Sequence, residues 1–89
     1  MCHSVYILEC EDESYYIGYS NDVEKRFRKH LSGKGAKYTR AHKPKSILVT
    51  IPCETKSEAL KLEYKLKQLT HEQKKNFLVE YTRENKSQT

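Results

Sequence analysis

Five side chains in this sequence could together hydrolyse a phosphodiester bond: Tyr6, Tyr16, Arg26, His30 and Glu63. A carboxylate can hold a divalent cation, an arginine can bind a phosphate oxygen, and tyrosine and histidine can move protons. Arg26 and His30 stand four apart, so on a helix they project from one face. Tyr6 and Tyr16 fall on the two arms of an expected hairpin. Glu63 follows Leu62, four residues after Ala59 and three before Leu66, which sets it at the border of an apolar helix face. A carboxylate buried there needs a cation, a proton or a metal. Each residue also has an ordinary explanation. Edge tyrosines pack with their hydroxyls hydrogen-bonded, and Asp22 with Arg26 makes a common i,i+4 pair. His30 reads as a surface histidine, and Glu63 can pair with Lys67. Only the five as a set argue for chemistry.

The elements that must position them are legible from pattern. Ser4–Cys10 is rich in β-branched and aromatic residues and predicts a strand. The polar turn Glu11-Asp12-Glu13-Ser14 leads into a second strand, Tyr15–Tyr19. Asn21, with Glu24 three residues on, predicts a helix cap. Val23, Phe27 and Leu31 then give the helix one narrow apolar stripe, with Arg26 and His30 at the rim of the core. Gly33 and Gly35 stop it. Residues 36–45 read as a basic connection, and Ser46–Ile51 as a third strand closed by Pro52. Thr55 with Glu58 caps a long helix whose apolar face is Ala59, Leu62, Leu66 and Leu69. Thr70 with Gln73 caps a last helix, buried through Phe77, Leu78 and Tyr81. The order β-β-α-β-α-α predicts an α+β fold, an α/β sandwich of three mainly antiparallel strands flanked by helices. One domain spans residues 1–82, followed by a polar tail, 83–89, expected to fray.

Charge sharpens the functional side. The chain has 89 residues and a formal net charge of +5, which alone says little. By position it says more: residues 1–24 hold six acids and no Lys or Arg, whereas residues 25–45 hold nine bases and no acid. Such a run attracts polyanions, nucleic acid above all, although a solvated basic loop would look the same. With only 36% hydrophobic residues the core must be thin. Three cysteines without a C-x-x-C pair suggest neither a disulfide framework nor a zinc knuckle, and Cys2-His3 with Cys10 fits no structural zinc spacing. The longest apolar stretch, Ile47–Ile51, is too short to span a bilayer, and no secretory pattern opens the chain. A cytoplasmic protein without a membrane partner is the expectation.

In its motifs the sequence resembles the GIY-YIG endonuclease superfamily. Val5-Tyr6 stands where that family has Ile-Tyr, with Ser4 in place of the first motif's glycine, and Tyr16-Ile17-Gly18 matches the second motif in full. Asp22–His30 is similar to the family's helix signature, with arginine four before histidine. Glu63 falls where the family places its metal-binding glutamate, and Asn76 is the candidate for its late asparagine. The resemblance covers about residues 4–70. The segment Gly33–Arg40, followed by Pro44, looks like the small stand-alone bacterial members and the catalytic subunit of the eukaryotic nuclease that cuts branched DNA.

The resemblance implies metal-dependent DNA hydrolysis of the repair and recombination type, weakly specific or selective for structure. Glu63 would hold one Mg²⁺ or Mn²⁺, Arg26 a non-bridging oxygen, and Tyr6 would help deprotonate the attacking water. An isolated phenol has a pKa near 10, so that role calls for a nearby cation to lower it. His30 would orient a tyrosine hydroxyl, and Tyr16 would complete the water network. Lys25, Lys29, Lys34, Lys37, Arg40 and Lys43 would grip the DNA backbone, branched or flapped forms included, with RNA left open. A protein partner could supply specificity. Two rivals stand beside this reading: a binding module that docks nucleic acid without cutting it, and an adaptor for another protein.

Overall fold

The computed structural model describes residues 3–86, and so includes neither Cys2 nor residues 87–89. The sheet has three strands, β1 (His3–Cys10), β2 (Tyr15–Ser20) and β3 (Pro44–Cys53), in the order β2-β1-β3 with both pairings antiparallel. β1 is therefore central, and Val5, Tyr6, Ile7 and Leu8 have no exposed surface at all. Its two residue parities do different work. Val5 and Ile7 join Ile17, Ile51, Ala59, Leu66 and Leu78 in the hydrophobic core. Tyr6, of the other parity, meets the first helix.

The β1–β2 turn closes through Cys10 N–H to the Ser14 carbonyl at 2.9 Å, with Glu13 at a φ of 68°. Helix α1 (Val23–Leu31) follows, capped by Asp22, whose Oδ1 accepts from Lys25 N–H at 3.2 Å. The cap is thus one residue beyond the expected Asn21. A one-turn helix, α2 (Lys37–Ala41), lies inside what the sequence suggested was a plain basic connection. Five residues are too few to display a helical period, and Lys-Tyr-Thr-Arg-Ala has no cap residue in front of it.

β3 is longer than expected at both ends, and Pro52 lies within it, paired with Ser4. A proline is tolerated there because β3 is an edge strand. Register shifts between Ile7 and Leu8 and between Glu9 and Cys10 leave Leu48 and Lys45 without Cα partners on β1. Helix α3 (Lys56–Lys67) starts at Thr55, whose hydroxyl accepts from Glu58 N–H at 3.1 Å. Helix α4 (His71–Lys86) starts at a reciprocal box: Gln73 N–H donates to the Thr70 hydroxyl, and Thr70 N–H to the Gln73 amide oxygen. α4 runs through Lys86, so residues 83–86 are helical rather than part of a frayed tail; the rest of that expected tail lies outside the described residues. Among the described residues no helix is long and apolar enough to cross a membrane.

Candidate active site

The site is built around a buried polar chain. Tyr6 Oη lies 2.9 Å from His30 Nε2, and His30 Nδ1 lies 2.6 Å from Thr39 Oγ1, which donates to the Ala36 carbonyl at 2.9 Å. Tyr6 is fully buried, His30 is 1% exposed and Thr39 2%. The chain therefore links β1, α1 and α2 across the face of the sheet opposite the apolar core.

His30 is the buried residue of α1, which corrects the expected stripe: Leu31 is nearly half exposed, while Arg26 is exposed and acts on the buried Tyr6 from the edge of the core. The helical period could have shown this. Val23, Phe27 and His30 stand at i, i+4 and i+7, one continuous face. Hydropathy favoured Leu31, but the Tyr6 hydroxyl on the sheet needs a polar partner opposite it.

Two glycines shape the pocket. A Cβ on Gly18, paired across the sheet with Tyr6, would come 2.5 Å from Tyr6 Oη and 2.6 Å from its Cζ. A Cβ on Gly35 would overlap His30 Nδ1 outright and come 2.9 Å from its Cα. Of the two glycines expected to stop α1, then, Gly33 does so with a φ of 81°, while Gly35 makes room for the His30 ring. Gly35→Ala should displace that ring, cost about 1–3 kcal/mol by overpacking, and lower the urea midpoint accordingly. An unchanged midpoint would mean that the loop adjusts freely.

Tyr16 joins the group by ring contacts, its centroid 6.2 Å from Tyr6, 5.1 Å from His30 and 5.9 Å from Tyr38. Tyr38 in turn stacks on His42 at 4.2 Å, and His42 pairs with Asp12. Tyr38, His42 and Thr39 were not among the expected site residues. All three lie in the basic segment, and Tyr38 and Thr39 also in the Gly33–Arg40 stretch that resembles the small stand-alone members.

Electrostatically, Tyr6 is where the candidates meet. Burial first, and then the Tyr16 phenol, push its pKa up to about 12; Arg26 pulls it down, and the Glu63 carboxylate on α3 raises it. The expected cation is therefore in place, but the phenol is not lowered, because desolvation outweighs it. Burial and the Arg26 charge hold His30 below the ordinary histidine range, and so neutral at pH 7. Protonating His30 is harder in the folded than in the unfolded chain, so stability is complete above about pH 6.5 and falls as the pH drops through the native pKa. Unfolding midpoints compared at about pH 7.5 and about pH 5.5 should show the fall. Asp12, lowered to about 2 by Ser14 and His42, acts only in a more acidic window.

Glu63 is partly buried, its side chain 18% exposed, and its Oε2 lies 3.1 Å from Lys67 Nζ, so the ordinary ion pair is present. Among the described residues no three His, Cys, Asp or Glu side chains cluster as metal ligands. One accessible carboxylate still suits Mg²⁺ or Mn²⁺, hard cations that take their remaining oxygens from water and substrate phosphate. Lys25, Lys29, Lys34, Lys37, Arg40 and Lys43 are all exposed. Lys25 and Lys29 line a hollow of about 180 Å³ with Arg26, and Arg40 and Lys43 line a cleft of about 370 Å³ over His30 and Thr39. Asn76 lies elsewhere, in a hollow with His71, Glu72 and Lys75, none of which belongs to the group around Tyr6.

Among the described residues the thiols take no part: Cys10 and Cys53 are free, and burial raises the pKa of both.

Comparison with known proteins gives one consistent picture. The family described as the GIY-YIG catalytic domain matches residues 2–76. A UPF0213 protein of Bacillus velezensis is 48% identical over 81 residues, covering 91% of this chain and 82% of its own. One from the archaeon Halobacterium salinarum is 47% identical over 72 residues, covering 81% and 94%. Two solution structures share the fold. The UPF0213 protein of Bacillus halodurans has a TM-score of 0.59 at 47% identity, covering 89% of this chain and 84% of that one. A protein of E. faecalis has a TM-score of 0.65 at 42% identity, covering 92% and 88%.

Proposed function

This chain belongs to the GIY-YIG catalytic-domain family, in its small UPF0213 branch, and from that premise we propose that it is a metal-dependent endonuclease hydrolysing DNA phosphodiester bonds. The observation that carries the proposal is the convergence on Tyr6. One buried hydroxyl is hydrogen-bonded to a neutral histidine and lies in the fields of both Arg26 and Glu63. A purely structural tyrosine needs only the first of these.

The magnitudes choose between two ways of activating water. With the phenol near 12, a free phenolate at pH 7 would cost about 7 kcal/mol in the unliganded protein. A relay avoids that species: Tyr6 Oη accepts the water proton as its own proton passes to His30 Nε2. Arg26, exposed beside the phenol, binds a non-bridging phosphate oxygen and stabilises the charge that grows there. Glu63 would hold the Mg²⁺ or Mn²⁺, whose chemistry is to neutralise the scissile phosphate and stabilise the leaving 3′ oxygen. Tyr16 closes the site beside Tyr6. The exposed bases of α1 and α2 hold backbone phosphates, contacts that position DNA without reading sequence. Preference for branched or flapped substrates would then come from shape, or from a protein partner.

One observation favours a second reading. The Glu63–Lys67 pair gives the carboxylate an ordinary role, as a binding module without catalysis would have it. Linear, flapped and branched DNA incubated with Mg²⁺, Mn²⁺ or EDTA separates the two. A nuclease cuts only with metal and loses cutting in Arg26→Ala and Glu63→Ala. A binding module holds DNA in a salt-sensitive way that is indifferent to Glu63 and to metal. Cutting that survives EDTA or both substitutions would overturn the assignment.

A further inference from the structure

We propose that Thr39 is a positioning residue that fixes the tautomer of His30, so that the ring presents an unprotonated Nε2 to the Tyr6 hydroxyl. The inference rests on the relay above only for its catalytic consequence. The tautomer itself follows from a proton inventory.

A threonine hydroxyl has one proton to donate. That of Thr39 is directed at the Ala36 carbonyl, 2.9 Å away. Towards His30 Nδ1, at 2.6 Å, Thr39 Oγ1 can then only accept, so the proton between them belongs to Nδ1. His30 is buried and neutral, and a neutral imidazole carries one ring proton. Nε2 is therefore bare, and the 2.9 Å contact with Tyr6 is a bond donated by the phenol. The opposite tautomer would require Thr39 to donate to Nδ1, which leaves the Ala36 carbonyl only the longer bond from Arg40 N–H at 3.2 Å, and Nε2–H would then point at Tyr6 Oη and block proton transfer from it.

The surroundings oppose any escape from this arrangement. Gly35 lies against the Nδ1 side of the ring, and the Tyr16 ring meets it edge-on. The charged or titratable groups acting on His30 are Arg26 from its own helix, Tyr6 from β1 and Tyr16 from β2. Arg26 has no acceptor to offer Nδ1, and the Tyr6 hydroxyl is engaged at Nε2. Helix α2 thereby joins two tasks. It sets the tautomer through Thr39 and carries the exposed Lys37 and Arg40, with Arg40 lining the cleft over His30 and Thr39.

The test uses ¹⁵N-histidine-labelled protein and Thr39→Val, which keeps the shape and loses the hydroxyl, beside Thr39→Ser, which keeps the hydroxyl. Long-range ¹H–¹⁵N spectra at neutral pH should show His30 as the Nδ1–H tautomer in the unmodified protein and in Thr39→Ser. Thr39→Val should lose that pattern and cut about 10–100-fold more slowly, as supporting partners of reactive groups do, with KM for DNA unchanged. Thr39→Ser should restore the rate. An Nε2–H tautomer or an imidazolium in the unmodified protein would overturn the inference, as would a Thr39→Val variant with the original tautomer and rate. The spectrum is read without DNA, so a protein that failed to cut would refute the nuclease reading and leave this assignment to stand or fall alone. Should Thr39→Val not fold, the spectra of the other two proteins decide.

Discussion

Tyr6→Phe should lower DNA cleavage by about two to four orders of magnitude, the usual contribution of a positioned proton-transfer group. The change removes a single oxygen from a side chain with no exposed surface, so the packing of β1 is retained. It leaves His30 Nε2 facing a ring edge, and an unsatisfied buried acceptor costs about 1–3 kcal/mol. A domain of this size can survive that loss. DNA binding should persist, because the exposed bases of α1 and α2 are untouched. The decisive measurement is a single-turnover cleavage rate beside a binding isotherm and an unfolding curve. A variant that binds, folds and cuts within tenfold of the original would show that Tyr6 is a packing residue, and the relay would fall with it.

Glu63→Gln should have an effect of similar size for a different reason. The amide keeps the shape but loses the charge that would hold a divalent cation, and transition-state stabilisation of about 10²–10³ should go with it. Stability should change little, because the pair with Lys67 is part-exposed and such pairs contribute about 0–1 kcal/mol. The substitution also has a signature outside catalysis. Glu63 raises the Tyr6 pKa, so its neutral replacement should lower that pKa, visible as an earlier phenolate transition in an ultraviolet titration. Full cleavage by Glu63→Gln, with the same response to Mg²⁺ and EDTA as the original, would remove Glu63 from the metal site. An unmoved Tyr6 titration would remove it from the neighbourhood of Tyr6.

Much of this protein is legible because its signals are local. The hairpin, the Thr55 and Thr70 caps and the apolar face of α3 need only residues within a few positions of one another, and the structure contains them. The two ends of β3 were hidden by Pro44 and Pro52, since whether a proline ends a strand depends on whether that strand lies at the edge of the sheet. α2 was hidden because one turn shows no period. His30 was misplaced because hydropathy ranked Leu31 above it, although spacing put His30 on the inward face.

The sequence by itself determined every element except the short helix α2 and the ends of β3, together with the family pattern and the basic surface, all of which are properties of residue type and near-neighbour spacing. Only the tertiary structure decided the state of the reactive groups. Burial in the centre of the sheet raises Tyr6 despite Arg26, and a histidine 24 residues away receives its hydrogen bond. A threonine on an unforeseen helix fixes which nitrogen of that histidine is free. Proton affinity and tautomer are set by desolvation and by partners distant along the chain, and no local pattern of residues carries that information.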